Sequence, residues 1–301
     1  MLNVVTGAFS YSGKYITRRL LEMGEEVRTL TGHPDRPDPF GGRVEAHSFN
    51  FDDPVALRES LQGASTLYNT YWIRFSYGST TFDRAIQNTL TLFKAAGDAG
   101  VRRIVHVSIA NPSLDSPLPY YRAKAIVEEA LTETGVSFAI IRPTVIFGRE
   151  DILINNIAYF LRRFPLFPIP GSGRYRLQPV YVEDYAEIVV DAGHRTTNVT
   201  IDAVGPESYA YEDLVRHIAE ALDSHSILIH VPPAAVLLCS KVIGRLVGDV
   251  VLTSEEIDGL MADLLISHDP PTGRTRLSEW LAQNLPSLGA QYASEVERHY
   301  R

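Results

Sequence analysis

Apolar and polar residues follow two different periods along the first half of the chain. Short runs rich in β-branched and other apolar residues are typical of buried strands, and the segments between them repeat apolar residues every three or four positions, as helices do. This pattern predicts strands at 2–6, 26–31, 43–48, 65–70, 102–108 and 136–141, with helices at 13–23, 54–62, 81–99 and 120–134. Strands that alternate with helices predict an α/β fold with a doubly wound parallel Rossmann sheet.

The pattern changes after Gly148. Residues 149–180 are rich in Pro, Gly and aromatic side chains, which predicts loops at the rim of a pocket. A helix from Val182 and a strand near 198–203 follow, and then helices are predicted at 209–222, 234–248, 253–265 and 276–284. We therefore expect a Rossmann domain over 1–205, with a rim insertion at 149–180, and a smaller, mainly helical lobe over 206–301.

Composition and charge narrow the class of protein. The chain has 301 residues, 45% apolar and 21% charged, as in an ordinary globular protein. Its net charge of −8 disfavours nucleic acid as the main partner. A single cysteine excludes a thiolate metal cluster, and no His/carboxylate motif replaces it, so we expect no metal. A strand that begins at residue 2 leaves no room for a leader peptide, and the expected location is the cytoplasm.

The most apolar stretch is 234–252, which also contains Lys241, Arg245 and Asp249. Its apolar residues fall in pairs at helical spacing, so it predicts an amphipathic helix rather than a membrane span. Packing on the protein itself or on a second subunit is favoured over contact with a membrane surface. We therefore expect a monomer or homodimer for which a membrane is an unlikely partner.

A glycine-rich turn follows the first predicted strand. Gly7 and Gly13 occupy the outer positions of a G-x-x-G-x-x-G pattern, and Ser10 stands in the middle position. In a Rossmann turn the first Gly makes the bend and the last allows close helix–strand packing, while the helix N-terminus attracts the pyrophosphate. The position between strand and helix predicts a dinucleotide site. The turn residues expected to contact the cofactor are Gly7, Phe9, Ser10, Tyr11, Ser12 and Gly13.

The end of the second predicted strand bears on the choice of cofactor. NAD sites usually place Asp or Glu there to hold the ribose 2′-hydroxyl, whereas this chain has Thr31, Gly32 and His33. Without a carboxylate to repel it, a 2′-phosphate is acceptable, and Arg36 could reach it. This favours NADP(H) over NAD(H), although Arg36 fits a solvated loop cation equally well.

A Tyr-x-x-x-Lys pattern opens the fourth predicted helix. Tyr120 and Lys124 lie four residues apart and therefore share one face of that helix. A cation beside a phenol lowers the phenol's pKa from about 10 and makes it a usable acid/base. Ser108, at the end of the fifth predicted strand, could hydrogen-bond a substrate oxygen or simply cap the strand end. Tyr120, Lys124 and Ser108 are the candidate catalytic residues, and Lys124 could also hold a ribose hydroxyl of the cofactor.

Several motifs together point to a known family. They are Gly7-x-x-Ser10-x-x-Gly13, NFDDP at 50–54, Asn88, Ser108, Tyr120-x-x-x-Lys124, RPTVIFG at 142–148 and QPVYVEDYAE at 178–187. Through them, residues 1–205 resemble the short-chain dehydrogenase/reductase superfamily, in its extended and atypical branch of NAD-dependent epimerase/dehydratase-like proteins. More narrowly, the chain resembles the nucleotide-binding accessory subunits of respiratory complex I and their bacterial relatives.

The resemblance implies further site residues. Asn50 and Phe51 would border the adenine, Asn88 would brace the active helix, and Arg142 would close over the nicotinamide with its neighbours. Thr70, Tyr71 and Trp72, after the fourth strand, would line the nicotinamide half of the cofactor. Pro143 and Val145, after the sixth, would close over the nicotinamide together with Arg142.

Two functions remain open at this point. The first is an NAD(P)(H)-dependent oxidoreductase that transfers hydride between nicotinamide and a small carbonyl or alcohol substrate, with epimerase or dehydratase chemistry as a variant. The second is a non-catalytic NADP(H)-binding structural or redox-sensor protein. Retention of Tyr120 with Lys124 favours the first. The bulky Tyr71-Trp72 pair and Ile109, where many extended members have a catalytic Ser or Thr, favour the second.

Overall fold

The computed structural model describes residues 1–299, and it divides into two compact units. The first contains Met1–Pro143 and Val182–Ala203, and the second contains Thr144–Tyr181 with the chain from Val204 onward. The second unit thus joins the whole of the predicted rim insertion to the C-terminal segment, whereas the sequence pattern assigned that insertion to the first domain.

The first unit alternates strands and helices as the sequence pattern predicts. Its strands are β1 (Leu2–Thr6), β2 (Glu26–Thr31), β3 (Val44–Ser48), β4 (Thr66–Asn69), β5 (Arg103–Val107), β6 (Ser137–Pro143) and, later in the chain, β11 (Val199–Ala203). Its helices are α1 (Tyr11–Glu22), α2 (Pro54–Leu61), α3 (Phe82–Asp98), α4 (Pro119–Glu133) and α6 (Val182–His194).

All seven strands pair in parallel in the order β11-β6-β5-β4-β1-β2-β3. The strand order reverses between β1 and β4, which makes the crevice beyond their carboxyl ends the expected ligand site of such a sheet. The central strands are buried on both faces, as a parallel sheet between two helical layers requires. The prediction of a doubly wound Rossmann sheet is confirmed.

The second unit mixes helices with three small sheets. Its strands are β7 (Ile146–Phe147), β8 (Leu166–Pro170), β9 (Arg176–Leu177), β10 (Val180–Tyr181), β12 (Tyr209–Ala210) and β13 (Ile227–Val231). Its helices are α5 (Leu153–Arg163), α7 (Tyr211–Ala221), α8 (Pro233–Val247), α9 (Ser254–Met261), α10 (Leu277–Asn284) and α11 (Glu295–His299). Its core collects apolar side chains from α5, β8, α7 and α10, with Phe147 and Trp280 in edge-to-face contact.

The expectation that 149–180 consists of loops was wrong for α5, β8 and the two-residue strand β9. Helix α5 forms because buried Asp151 accepts hydrogen bonds from the backbone N–H groups of Ile154 (2.6 Å) and Asn155 (3.4 Å), which caps its first turn. Strand β8 tolerates Pro168 and Pro170 because it pairs with only one neighbour, β13.

Candidate functional site

The turn after β1 has the geometry that a pyrophosphate turn needs. Gly7 has φ +66°, in the left-handed region that favours glycine. A Cβ on Gly13 would collide with the Gly7 carbonyl oxygen and lie 2.8 Å from its carbon, so only glycine lets α1 lie this close to the turn. Gly7 therefore makes the bend and Gly13 allows the close helix packing that the sequence pattern predicted.

Ser10 fits this turn as the residue that precedes α1. Its backbone N–H donates to the Gly7 carbonyl at 2.8 Å, and its own carbonyl accepts from Lys14 N–H at 2.9 Å. Helix α1 begins at Tyr11, one residue before Ser12, so the positive end of its dipole lies at the turn. A side chain at position 10 is thus compatible with the bend.

The switch point between β1 and β4 is held by a polar network. The Thr6 hydroxyl donates to Asn69 Oδ1 at 3.2 Å and accepts from the backbone N–H groups of Thr70 (2.7 Å) and Tyr71 (2.9 Å). The Thr70 hydroxyl in turn donates to the Thr6 carbonyl. The predicted site residues Thr70 and Tyr71 are therefore fixed next to the glycine turn.

The end of β2 carries no carboxylate in the structure, as in the sequence. The Thr31 hydroxyl accepts from His33 N–H at 3.1 Å, and the His33 carbonyl accepts from Arg36 N–H at 3.2 Å. A Cβ on Gly32 would meet open space. The loop thus leaves room at the position where a ribose 2′-substituent is read in this fold. Phe9 of the glycine turn faces the same loop through Phe40, at 6.5 Å between ring centroids.

An aromatic cluster lines the sheet edge beyond β3 and β4. Phe49 and Phe51 stack at 4.8 Å, and the Tyr71 ring lies 5.0 Å from each. Asn50, between the two phenylalanines, has φ +47°. Asn88 Nδ2 donates to the Tyr71 hydroxyl at 2.8 Å, so Asn88 contacts this cluster, and its bracing of the active helix stays a prediction. Phe51, which the resemblance assigns to the adenine, thus belongs to one aromatic wall with Phe49 and Tyr71.

Lys124 is the most deeply buried of the candidate catalytic residues. Its side chain is 2% exposed, and Nζ donates to the Val107 carbonyl at 2.8 Å. Nζ also lies 4.2 Å from the centroid of the Trp72 ring, in a cation–π contact. Burial lowers the pKa of Lys124 to about 7, partly opposed by the nearby Glu128 carboxylate. Near neutral pH this amine is therefore close to half charged.

Tyr120 is half-buried one turn before Lys124 on α4. Its ring makes edge contacts with Trp72 (6.3 Å between centroids) and Phe82 (5.9 Å). Trp72 thus touches both members of the Tyr-x-x-x-Lys pair, and its Nε1 has no hydrogen-bond partner within residues 1–299. The structure brings Tyr120, Lys124 and Trp72 together.

Ser108 follows Val107, the residue whose carbonyl holds Lys124. It is 3% exposed, and its Oγ has no hydrogen-bond partner among the residues that the structure describes. A buried hydroxyl without a partner costs roughly 1–3 kcal/mol, which a ligand oxygen in contact with it could offset. The catalytic role of Ser108 stays a prediction.

The segment after β6 is divided between the two units. The Pro143 carbonyl accepts from Ala110 N–H at 2.9 Å, which places Pro143 beside the strand end that carries Ser108. Arg142 instead forms a two-pronged ion pair with Glu128 on α4. Val145 belongs to the second unit, and its cofactor contact stays a prediction.

Two buried polar residues were not foreseen from the sequence. Asn69 Nδ2 lies 3.0 Å from His106 Nδ1, and Asn69 also anchors the Thr70-Tyr71 turn. Burial, followed by the charge of Lys124, lowers the pKa of His106, so this ring is neutral. Polar residues near the carboxyl ends of two adjacent buried strands are a signal that could have identified them.

Burial of Lys124 predicts a specific pH dependence of stability. The unfolded chain keeps the lysine proton up to its ordinary pKa of about 10.5, whereas the folded chain releases it near 7. The unfolded state thus binds more protons between these values, and folding becomes more favourable as pH rises. Between pH 7 and 9, we expect the free energy of unfolding of the wild type to rise by about 2 kcal/mol more than that of Lys124→Met. Urea unfolding at the two pH values measures the difference.

A matched control is Lys94→Met, since the Lys94 side chain is 77% exposed and pairs with Asp98. This variant should follow the wild-type pH curve. If the unfolding free energies of the wild type and Lys124→Met changed in parallel with pH, the lowered pKa of buried Lys124 would be contradicted.

Within the described chain no cluster of three His, Cys, Asp or Glu residues could hold a metal, and no helix is long and apolar enough to cross a membrane.

The fold and the site together define a protein with a Rossmann-type dinucleotide fold. It carries a Tyr-x-x-x-Lys pair near the point where the strand order reverses. The chain belongs to the NAD dependent epimerase/dehydratase family, whose sequence profile matches residues 3–200.

Curated relatives include mitochondrial proteins named NADH dehydrogenase (ubiquinone) 1 alpha subcomplex subunit 9. The Arabidopsis thaliana protein is 26% identical over 283 residues, which cover 87% of this chain and 70% of that protein. The Mus musculus protein is 29% identical over 71% of this chain, and the match spans only 59% of its own length. An Escherichia coli NADPH-dependent quinone oxidoreductase, solved with NADPH, has a TM-score of 0.76 at 17% identity, over 94% of this chain and 99% of that one.

Proposed function

We propose that this chain is an NADP(H)-preferring oxidoreductase that transfers hydride to or from a small carbonyl or alcohol substrate. The observation that carries the proposal is the buried Ser108 hydroxyl without a partner, next to the carbonyl that holds Lys124 and on the strand beside α4. The family and a fold shared with a reductase that binds NADPH support it. The proposed location is the cytoplasm.

The residues present fit a dinucleotide. The Gly7–Gly13 turn offers a cradle that a Cβ would fill, and α1 directs its positive end there. Asn50 and Phe51 would border the adenine, and Thr70, Tyr71 and Trp72 would line the nicotinamide half. When bound, the nicotinamide would supply or accept the hydride.

The chain's own groups would handle the substrate oxygen. The Ser108 hydroxyl would donate a hydrogen bond to it, and Tyr120 would give it a proton in reduction or take one in oxidation. The charged form of Lys124 would stabilise the phenolate and hold a ribose hydroxyl. For that contact the Trp72 indole must leave the ammonium group that it covers.

The 2′-phosphate provides a direct test of cofactor preference. We expect Arg36→Ala to weaken NADPH binding about tenfold and to leave NADH binding unchanged, because a charge-assisted contact of this kind is worth roughly 1.4 kcal/mol. Titration followed by nicotinamide fluorescence measures both.

Arg58→Ala removes the same charge from an exposed position on α2 and should change neither affinity. Equal loss of NADPH and NADH affinity in Arg36→Ala would contradict the assignment of Arg36, and no binding of either nucleotide by the wild type would overturn the proposed function.

A second candidate is a cofactor-binding protein without turnover. The contact of Trp72 with Lys124 favours it, because the indole covers the amine that catalysis would use. So do the relatives named as subunits of NADH dehydrogenase. NADPH binding with no turnover across a panel of small aldehydes, ketones and quinones would support this candidate over the first.

A further inference from the structure

Helix α8 exposes a row of three large apolar side chains. Leu238, Val242 and Leu246 repeat every four residues and are 65%, 52% and 82% exposed. The face on the other side of the helix, where Ser240 and Gly244 are buried, packs against the second unit. In an ordinary surface helix the apolar stripe faces the core. The exposed row, here called the α8 stripe, is therefore expected to be covered by something outside the chain.

The charges beside the α8 stripe have one sign. Lys241 and Arg245 each stand one residue before a member of the stripe, and both are exposed. Neither pairs with a carboxylate within residues 1–299. The helix itself contains no Asp or Glu. The stripe therefore presents an apolar row with an uncompensated basic flank.

The positive charge around α8 is opposite in sign to the net charge of the whole chain. Segments 152–182 and 224–248 contain only basic charged residues, four Arg in the first and one Lys with one Arg in the second, whereas the chain carries a net charge of −8. Arg176 of the first segment pairs with Asp263, and the remaining excess of basic residues favours an anionic partner over a basic one.

A second group of exposed apolar and basic residues belongs to the same unit. Leu166 and Ile227 are register partners at the start of β8 and β13, and they are 51% and 63% exposed. The preceding residues, Arg162, Arg163 and Phe164, are also exposed, and both arginines donate to backbone carbonyls rather than to carboxylates.

Ring contacts connect this group with the end of α8. Phe160 lies 5.9 Å from Phe164 and 6.0 Å from Tyr292 between ring centroids, and the Tyr292 hydroxyl donates to Asp249 at 2.8 Å. Asp249 follows two residues after α8 ends. These contacts link Phe164 of the second group, through Phe160 and Tyr292, to Asp249, just beyond the end of α8.

The sequence pattern favoured protein packing for this helix, but because its apolar row is exposed, we propose that the α8 stripe docks on an anionic membrane surface. Leu238, Val242 and Leu246 would enter the boundary between headgroups and acyl chains, and Lys241 and Arg245 would contact the anionic headgroups. A second copy of the chain fits less well. Pairing two stripes would bring basic side chains together with no carboxylate on the helix to compensate them.

Vesicle flotation tests this proposal on the full chain. We expect the protein to bind vesicles of phosphatidylcholine with phosphatidylglycerol far more tightly than vesicles of phosphatidylcholine alone. Leu238→Ser with Leu246→Ser should weaken this binding at least tenfold, because both side chains would lose their buried contact. Lys241→Gln and Arg245→Gln should each weaken it about fivefold.

Leu114→Ser is the matched control, because Leu114 is 48% exposed and lies in the first unit. It should leave vesicle binding unchanged. All variants replace exposed side chains, and unchanged urea unfolding would confirm that they fold.

Cys239 supplies an independent readout, since it is the chain's only cysteine and is exposed on α8. An environment-sensitive fluorophore on Cys239 should shift to the blue with anionic vesicles. The same label on Glu129→Cys in a Cys239→Ser background, on an exposed position of α4, should not.

Three outcomes would overturn the proposal. They are no binding to anionic vesicles, equal binding to neutral ones, and binding that the α8 substitutions leave intact. A dimer in light scattering that Leu238→Ser with Leu246→Ser converts to a monomer, without vesicle binding by the wild type, would assign the stripe to a second copy instead.

Discussion

Replacing Tyr120 with phenylalanine is expected to reduce turnover of a carbonyl substrate by about 10²–10⁴-fold, the usual contribution of a positioned proton donor. The aromatic ring makes edge contacts with Trp72 and Phe82, and phenylalanine keeps that ring. The substitution therefore removes the hydroxyl and preserves the packing. Binding of NADPH, which the glycine turn and the β2 loop would dominate, should change less than threefold, that is by less than about 0.7 kcal/mol.

Tyr121→Phe is a closely matched control. Tyr121 is buried on the same helix, but the residue one turn later is Ala125 rather than a lysine. Its turnover should equal that of the wild type. Steady-state kinetics with NADPH and the best substrate of the carbonyl panel gives both values.

The results separate the two candidate functions. If Tyr120→Phe retains full turnover, Tyr120 is not the proton donor, and the proposed mechanism fails even where an activity exists. If the wild type binds NADPH but turns over no substrate, the non-catalytic function takes its place. A parallel Ser108→Ala variant should lose turnover too, because its hydroxyl would no longer hold the substrate oxygen.

The sequence predicted the first unit well because its local signals agree with one another. The central strands of the parallel sheet are short, largely buried runs, and the glycine turn lies between β1 and α1, where the pattern expected it. Helix α5 and strand β8 were missed for a physical reason. Their formation depends on buried Asp151 and on pairing with the distant β13, and neither interaction appears in a local pattern.

The candidate site was predictable in its residues but not in its contacts. The Tyr-x-x-x-Lys spacing places Tyr120 and Lys124 on one face of a helix in any context. Trp72 comes from a different strand end, so its cover over Lys124 depends on tertiary packing. The same holds for the depressed pKa of Lys124, which results from burial under that ring and not from a neighbouring charge.

The two candidate functions differ in whether Lys124 can bind the cofactor while Trp72 covers it. A lysine amine near half charge, covered by an indole, is poorly suited to hold a ribose until the ring moves. Cofactor binding would then have to replace a cation–π contact, worth roughly 0.5–2 kcal/mol, with hydrogen bonds to ribose hydroxyls. That exchange is close to balanced, so catalysis is compatible with the observed contact.

Replacing Gly13 with alanine is expected to abolish dinucleotide binding and to destabilise the first unit by about 3 kcal/mol. The added Cβ would collide with the Gly7 carbonyl and lie 3.3 Å from the Ala8 backbone nitrogen. These are backbone atoms, which cannot turn aside as a flexible side chain can. Helix α1 would have to move away from the turn and carry its N-terminal N–H groups out of reach of a pyrophosphate.

Gly97→Ala is the matched control, because it makes the same substitution on α3, another helix of the first unit. A Cβ there would meet only Val136 Cγ2, at 3.6 Å, an ordinary contact. Alanine should therefore be neutral or stabilise α3 by up to about 1 kcal/mol. NADPH titration and urea unfolding of both variants provide the measurements. If a folded Gly13→Ala protein kept full NADPH affinity, the cofactor would not use this turn. The proposed site would then be wrong, because no other described helix begins at a glycine turn where the strand order reverses.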